Sequence, residues 1–209
     1  VPKVLVLKGY TSRVASMSFN GDGRRLATAG EGGFVRIFDT ATGERELTIE
    51  AHVGAVSAVA FSPARASSGV LASSGDDTTV KLWNTVTDRK LLSITGHMAR
   101  VCCVVISPDG RRLASGGNQT VRLWDATTGK PAGRLTGHTG AVNQIVFSSD
   151  GRQLASCGED RTVRLWDLLD KRETRTLEHA AAVRSVAFSP DGKRVASGDA
   201  ASKTTAWDA

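Results

Sequence analysis

Long apolar runs are missing from this chain. No stretch of 18 apolar residues occurs in its 209, so the sequence offers no membrane-spanning helix. Aromatics are scarce at 5%, with a single Tyr and no interleaving of aromatic and basic residues. The pattern of a nucleic-acid groove is therefore absent. No five like charges follow one another, although the net charge is +6 and the pI 9.6. Scattered cations of this kind read as a solvated face; Arg36, Lys81, Arg122 and Arg164 fall at the same place in successive segments. Only 3 cysteines are present, Cys102, Cys103 and Cys157, with no CxxC pair and no Cys/His cluster at zinc spacing. So sparse a set points to a reducing compartment, most simply the cytoplasm. The start has no signal-like segment and position 1 is Val rather than Met, so the chain is expected to be processed or to be a piece of something longer. Helical periodicity is lacking throughout.

What the chain does contain is a repeat. A Trp-Asp step or a near relative appears as Phe38-Asp39, Trp83-Asn84, Trp124-Asp125, Trp166-Asp167 and Trp207-Asp208, at intervals of 45, 41, 42 and 41 residues. All 4 tryptophans lie in this register. A fixed period of this size signals a repeat architecture. The repeat runs from end to end, so residues 1–209 are expected to be a single domain.

Within each unit the same features recur in order. A Gly-His-like pair (Gly9-Tyr10, Ala51-His52, Gly96-His97, Gly137-His138, Glu178-His179) precedes an alternating apolar run at 14–19, 56–61, 101–106, 142–147 and 183–188. Alternation of Val, Ile and Phe at period two predicts a half-buried strand. A turn follows, such as Ser-Pro-Asp-Gly at 107–110 and 189–192, in which Pro presets φ and Gly accepts a positive φ. Three more short strands complete the unit, one ending in the Trp-Asp step. Four hairpin-linked strands per unit argue for an all-β protein.

The motif set, Gly-His, Ser-Pro-Asp-Gly, Leu-Ala-Ser, Asp and then Thr-Val-Arg-Leu-Trp-Asp, resembles the WD-repeat family of β-propellers across essentially the whole chain. The resemblance implies four-stranded blades packed radially around a channel. Residues 3–7 have the phase of an outer, fourth strand, and residues 203–208 that of a third strand. The expectation is five four-stranded blades with the N-terminal strand completing the last one. A five-repeat segment of a larger propeller, and an open arc completed by association with another copy, fit the same phase.

In this family a His, a Ser or Thr, an Asp and the Trp form a hydrogen-bonded network in each blade. Carried over, the fullest sets are His52, Ser73, Asp77, Trp83 and His138, Ser156, Asp160, Trp166. Blade three offers His97, Ser115 and Trp124 with Asn118 at the Asp place; blade five offers His179, Ser197 and Trp207 with Ala201 there. Blade one carries Tyr10, Thr28, Gly32 and Phe38, which removes nearly all of the network. Blades one and five are therefore expected to be the softest. Ser, His and Asp together imitate a protease triad, but the Ser lies inside a strand with no nucleophile elbow, so catalysis is not expected. No phosphate loop, cofactor motif or metal set stands out, and the histidines, one per blade, should not converge.

The resemblance places partner contact on the top face around the channel. The corresponding residues are Arg13, Glu31, Asp76, Arg100, Cys102, Asn143, Glu159 and Arg184. Arg13, Arg100 and Arg184 suit a peptide that bears carboxylates. The long hairpin loop at 62–69 reads as a tolerated insertion. The expected role is a non-catalytic protein-interaction scaffold with a protein or peptide partner and without nucleic acid, membrane or cofactor. A regulatory or sensor segment of a larger multidomain protein, such as a kinase or nucleotide-driven switch, is the alternative. Self-association is expected if the ring is incomplete.

Overall fold

The computed structural model describes residues 4–9, 12–64 and 69–209. Tyr10 and residues 65–68 of the 62–69 loop lie outside that set. The described residues form 18 strands in antiparallel sheets. β1 (Val14–Phe19), β2 (Arg25–Gly30), β3 (Phe34–Asp39) and β4 (Arg45–Glu50) make the first sheet. β5 (Val56–Phe61), β6 (Val70–Gly75), β7 (Val80–Asn84) and β8 (Arg89–Ile94) make the second. β9 (Cys103–Ile106), β10 (Arg112–Gly116), β11 (Asn118–Asp125) and β12 (Pro131–Phe147) follow. β12 then pairs onward with β13 (Gln153–Gly158), β14 (Thr162–Asp167) and β15 (Arg172–Glu178). The last sheet has three strands, β16 (Val183–Phe188), β17 (Arg194–Asp199) and β18 (Thr204–Asp208).

Two features depart from the sequence reading. The 17-residue β12 runs unbroken through Gly137-His138, where two separate strands were expected, and serves as outer strand of one sheet and inner strand of the next. Residues 4–9 form no strand and β18 pairs with β17 alone, so the N-terminal segment does not complete the last sheet among the described residues.

Local chemistry fixes the turns. Ser107 and its counterparts Ser148 and Ser189 close the first hairpin of three units. The Ser107 hydroxyl donates to Asp109 at 2.5 Å and accepts the Arg112 N–H at 2.9 Å, while Gly110 takes φ +74. The Asp of the Trp-Asp step caps the next turn: Asp125 Oδ1 accepts the N–H groups of Thr127 and Thr128 at 3.0 and 2.7 Å. Asn84 does the same with its amide oxygen, which explains why Asn is tolerated there.

The core lies between sheets. Ala72, Val80, Leu82 and Ile94 of the second sheet pack with Val104, Ile106, Leu113 and Trp124 of the third. The same arrangement recurs at the other three joints. The inner strands β1, β5, β9, β12 and β16 all contribute residues to the lining of one cavity.

Candidate functional site

Two arrangements of polar residues stand out: a buried network within each unit and a groove above the inner strands. In the second sheet the His52 Nδ1–H donates to Asp77 Oδ1 at 2.7 Å, and His52 Nε2 meets the Ser73 hydroxyl at 2.8 Å. The Trp83 indole N–H donates to Ser73 Oγ at 2.9 Å. The ionised Asp77 accepts only, so it fixes the His52 tautomer with Nε2 free to accept from Ser73. Gly75 permits the approach: a Cβ there would lie 2.7 Å from the His52 ring and 2.9 Å from the Ala55 carbonyl oxygen. His138, Asp160, Ser156 and Trp166 repeat the set at 2.8, 2.7 and 2.8 Å.

Two predicted members are corrected. Asn118 makes no bond to His97; it is exposed and lines the groove instead. The shortened bend carries it past the histidine, so His97 keeps only Ser115 at 2.7 Å, and Ser115 accepts the Trp124 indole at 2.8 Å. In the last sheet Ala201 was expected to leave the network open. Asp199 closes it, accepting from His179 Nδ1 at 3.0 Å, while Ser197 joins His179 Nε2 at 2.8 Å and Trp207 at 2.9 Å. Asp199 opposes Val183 as Gly75 opposes Val56, so the carboxylate comes from the strand rather than from the bend. In the first sheet Thr28 is buried at the Ser place, and Phe38 has no indole N–H to offer.

Burial dominates the electrostatics of the histidines. It pushes His52, His138 and His97 below the usual imidazole value, against the pull of Asp77 on His52 and Asp160 on His138. His97, with no carboxylate and with Arg122 nearby, falls to about 4. Burial works to raise the Asp77 carboxyl, but hydrogen bonds from His52 and Thr79 outweigh it and hold it well below the usual range. Asp199 is lowered chiefly by His179. Thr79 and Thr162, which buttress Asp77 and Asp160 at 2.7 and 2.9 Å, escaped the sequence reading; their place just after the bend Asp was the available signal.

The cations read as a solvated face are partly buried instead. Lys81 donates to the Ala51 carbonyl at 2.5 Å and pairs with Asp77 at 3.3 Å. Arg164 pairs with Glu173 at 2.5 Å, and Arg122 lies over the Trp124 ring at 5.9 Å. Their stems pack along the sheet while their charges meet local acceptors or rings.

The groove is a cavity of about 840 Å³ whose walls include all eight expected top-face residues. Two of its three arginines are held by acids. Arg100 Nε lies 3.1 Å from Asp76 Oδ1 and donates to Ser57 at 3.0 Å, and Arg184 pairs with Glu159. Each pair joins the acid of one unit to the Arg of the next. Asn143 donates to the Val183 carbonyl at 2.9 Å, across another joint. Arg13 and Glu31 form no ion pair among the described residues. Cys102 also lines the groove, and burial raises its thiol, so it is a poor nucleophile. Cys157 is pushed up to about 12 by burial, and burial raises the Cys103 thiol as well. Among the described residues no group of His, Cys, Asp or Glu is placed to hold a metal ion, and no helix is long and apolar enough to cross a membrane.

The repeat found in the sequence matches the WD domain, G-beta repeat at residues 2–39, 43–84, 88–125, 129–167 and 171–208. The chain belongs to that family. A curated relative, the Periodic tryptophan protein 2 homolog of Dictyostelium discoideum, is 32% identical over 65 residues. That stretch is 31% of this chain and 7% of the relative. WD repeats point to a protein-interaction scaffold as the general role of the chain.

Proposed function

We propose that this WD-repeat chain is a non-catalytic interaction module that receives a segment of a partner protein in the groove over its inner strands. One observation carries the reading: residues from all five repeats converge on that groove, with three arginines and three acids spread around it. The balance of charge suits the mixed side chains of a peptide better than the uniform phosphates of a nucleic acid. Arg13, paired with no acid among the described residues, is the first anchor for a partner carboxylate. Arg100 and Arg184 join only by exchanging Asp76 and Glu159 for the ligand.

A non-catalytic role is supported by the fate of the Ser-His-Asp groups. Ser73 and Ser156 are fully buried and each accepts an indole N–H, so neither hydroxyl reaches a substrate. Three thiols without a disulfide suit a reducing compartment, most simply the cytoplasm.

The test is a peptide array of acidic, basic and neutral sequences probed with the chain and with a variant carrying Arg13→Ala, Arg100→Ala and Arg184→Ala. Retention of acidic peptides that falls at least tenfold in the variant is the expected result. Equal retention by both, or none by either, refutes the reading.

A further inference from the structure

The joint between the second and third units is packed differently from the one that follows it. Phe19, Phe61, Phe147 and Phe188 end the inner strands of four units, opposite Leu26, Leu71, Leu154 and Val195. The third unit has Ile106 in that row, opposite Leu113. Two neighbouring places are short as well. Val70, which opens β6, corresponds to Arg112, which opens β10. Ala126, just after the Trp-Asp step, corresponds to Leu168.

Between the third and fourth units the longer residues close the joint. Phe147 and Leu168 are buried in its core. The Arg112 guanidinium lies 6.0 Å from the centre of the Phe147 ring and donates to the Gly151 carbonyl at 2.6 Å. A ring and a cation, stacked and anchored on a turn carbonyl, seal that place.

Between the second and third units the corresponding place is open. A cavity of about 380 Å³ lies there, and among the described residues its walls include Val70, Leu92, Ile106, Gly110 and Ala126. Ile106 lacks the ring, Ala126 lacks the branched chain, and Val70 lacks the guanidinium and most of its stem. Val70, Leu92 and Ala126 stay only partly buried at the edge of the core, so the surroundings have not collapsed into the missing volume. Leu91 carries the apolar lining outward. It is 47% exposed and stands where the first unit has Glu46 and the fourth has Thr174.

The polar seat of the seal is nevertheless intact. Gly110 takes φ +74, as Gly151 takes φ +68, so the same turn presents its carbonyl. Ser107 and Asp109 brace that turn as Ser148 and Asp150 brace the other. Val70 has no donor to offer it.

We infer that this cavity receives an aromatic side chain of a partner protein with a basic residue beside it. The ring enters against Leu92, Ile106 and Ala126, and the cation donates to the Gly110 carbonyl. The occupant restores what Phe147 and Arg112 supply at the next joint. The volume is near the lower end of the roughly 300–1,000 Å³ usual for binding pockets, which suits one such pair rather than an extended ligand. Aromatic anchors seated in pockets carry much of the energy of protein contacts. The site lies at the far end of the inner strands from the groove. Arg100 and Cys102 precede β9, whereas Ile106 ends it and Gly110 lies in the turn beyond. It therefore stands or falls apart from the reading given for the groove.

The experiment titrates the full chain with acetyl-Phe-Arg-amide and follows side-chain methyl resonances by NMR. The expected result is a saturable shift at Val70, Leu92 and Ile106, with Ala15 and Ala141 of the groove unmoved. Acetyl-Ala-Arg-amide and acetyl-Phe-Glu-amide should each bind at least tenfold more weakly. Ile106→Phe combined with Ala126→Leu fills the cavity with residues that the next joint already packs. It should abolish the shifts at Val70 and Leu92 without lowering the urea midpoint. Leu91→Glu, at an exposed position, should weaken binding while the circular dichroism spectrum stays unchanged, and it decides the matter should the filled variant not fold. Shifts that persist in a folded filled variant, unchanged binding by Leu91→Glu, or equal binding of the three peptides overturns the inference. Shifts confined to the groove, or none at all, overturn it too.

Discussion

Trp124 donates its indole N–H to Ser115 Oγ at 2.8 Å in a place where neither side chain reaches solvent. The same oxygen meets His97 Nε2 at 2.7 Å, so one hydroxyl satisfies two buried groups. Ser115→Ala should strand both. An orphaned buried polar group costs about 1–3 kcal/mol, so the expected loss is at least about 2 kcal/mol. Urea unfolding should show a lower midpoint at constant slope. Ser93→Ala, on an exposed strand position, should stay within about 0.5 kcal/mol of wild type.

Acid should weaken the fold well before its carboxylates titrate. His97 has an ordinary value of 6.5 and sits at about 4 when folded, so the unfolded chain binds more protons between those values. Its contribution is whole above pH 6.5 and is lost as the pH falls toward 4. His52 and His138 are lowered for the same reason and act in the same direction. Asp77, Asp160 and Asp199, all lowered, add a second loss below their ordinary 3.8. Melting temperature should therefore decline from pH 7 to pH 4. A proton NMR titration should place His97 well under the free imidazole value.

Asp199 and Ala201 offer a direct test of how the last sheet builds its network. Asp199→Ala removes the partner of His179 Nδ1 and should cost about 1–3 kcal/mol. Ala201→Asp leaves the partner of His179 in place and should change stability by less than about 0.5 kcal/mol. Equal effects from the two substitutions, measured by chemical denaturation, would contradict the assignment.

The rim pair Asp76–Arg100 is 41% and 57% exposed, so its worth is small. A double-mutant cycle with Asp76→Ala and Arg100→Ala should give a coupling of about 0.2–1 kcal/mol that shrinks with added salt. A larger coupling would mean that the arginine is too tightly held to be released to a ligand.

Amide exchange should be fastest in β1, which lacks the buried network and exposes Met17 and Phe19. β16 and β17 should be slower than the sequence alone suggests, because Asp199 completes their His-Ser-Trp set. Mass spectrometry of peptides covering 14–19 and 183–199 separates the two.

The repeat and its strands were legible because they are written locally. Alternating Val and Phe, Ser-Pro-Asp-Gly turns and Trp at a steady interval each act over a few residues. The network of His138, Ser156, Asp160 and Trp166 was legible through the family pattern those residues spell. Asp199 was hidden because that pattern places the acid four residues after the Ser, whereas here two residues suffice. The Arg100–Asp76 and Arg184–Glu159 pairs were hidden for another reason: they join neighbouring units, 24 and 25 residues apart, and no single-strand pattern reports such contacts. The cations at 81 and 164 misled because their spacing marks them as equivalent without saying what their stems lie against.

The unbroken β12 gives the third and fourth units a property their neighbours lack. Between β8 and β9, or β15 and β16, the backbone leaves the ladder and a loop intervenes. Pro131–Phe147 contains no such joint, and its hydrogen bonds run to β11 on one stretch and to β13 on the next. These two units are welded along a shared ribbon, so neither can tilt without dragging the other. When the molecule is pulled or heated they should yield as a pair, leaving the flanking units to supply whatever flexing the assembly has.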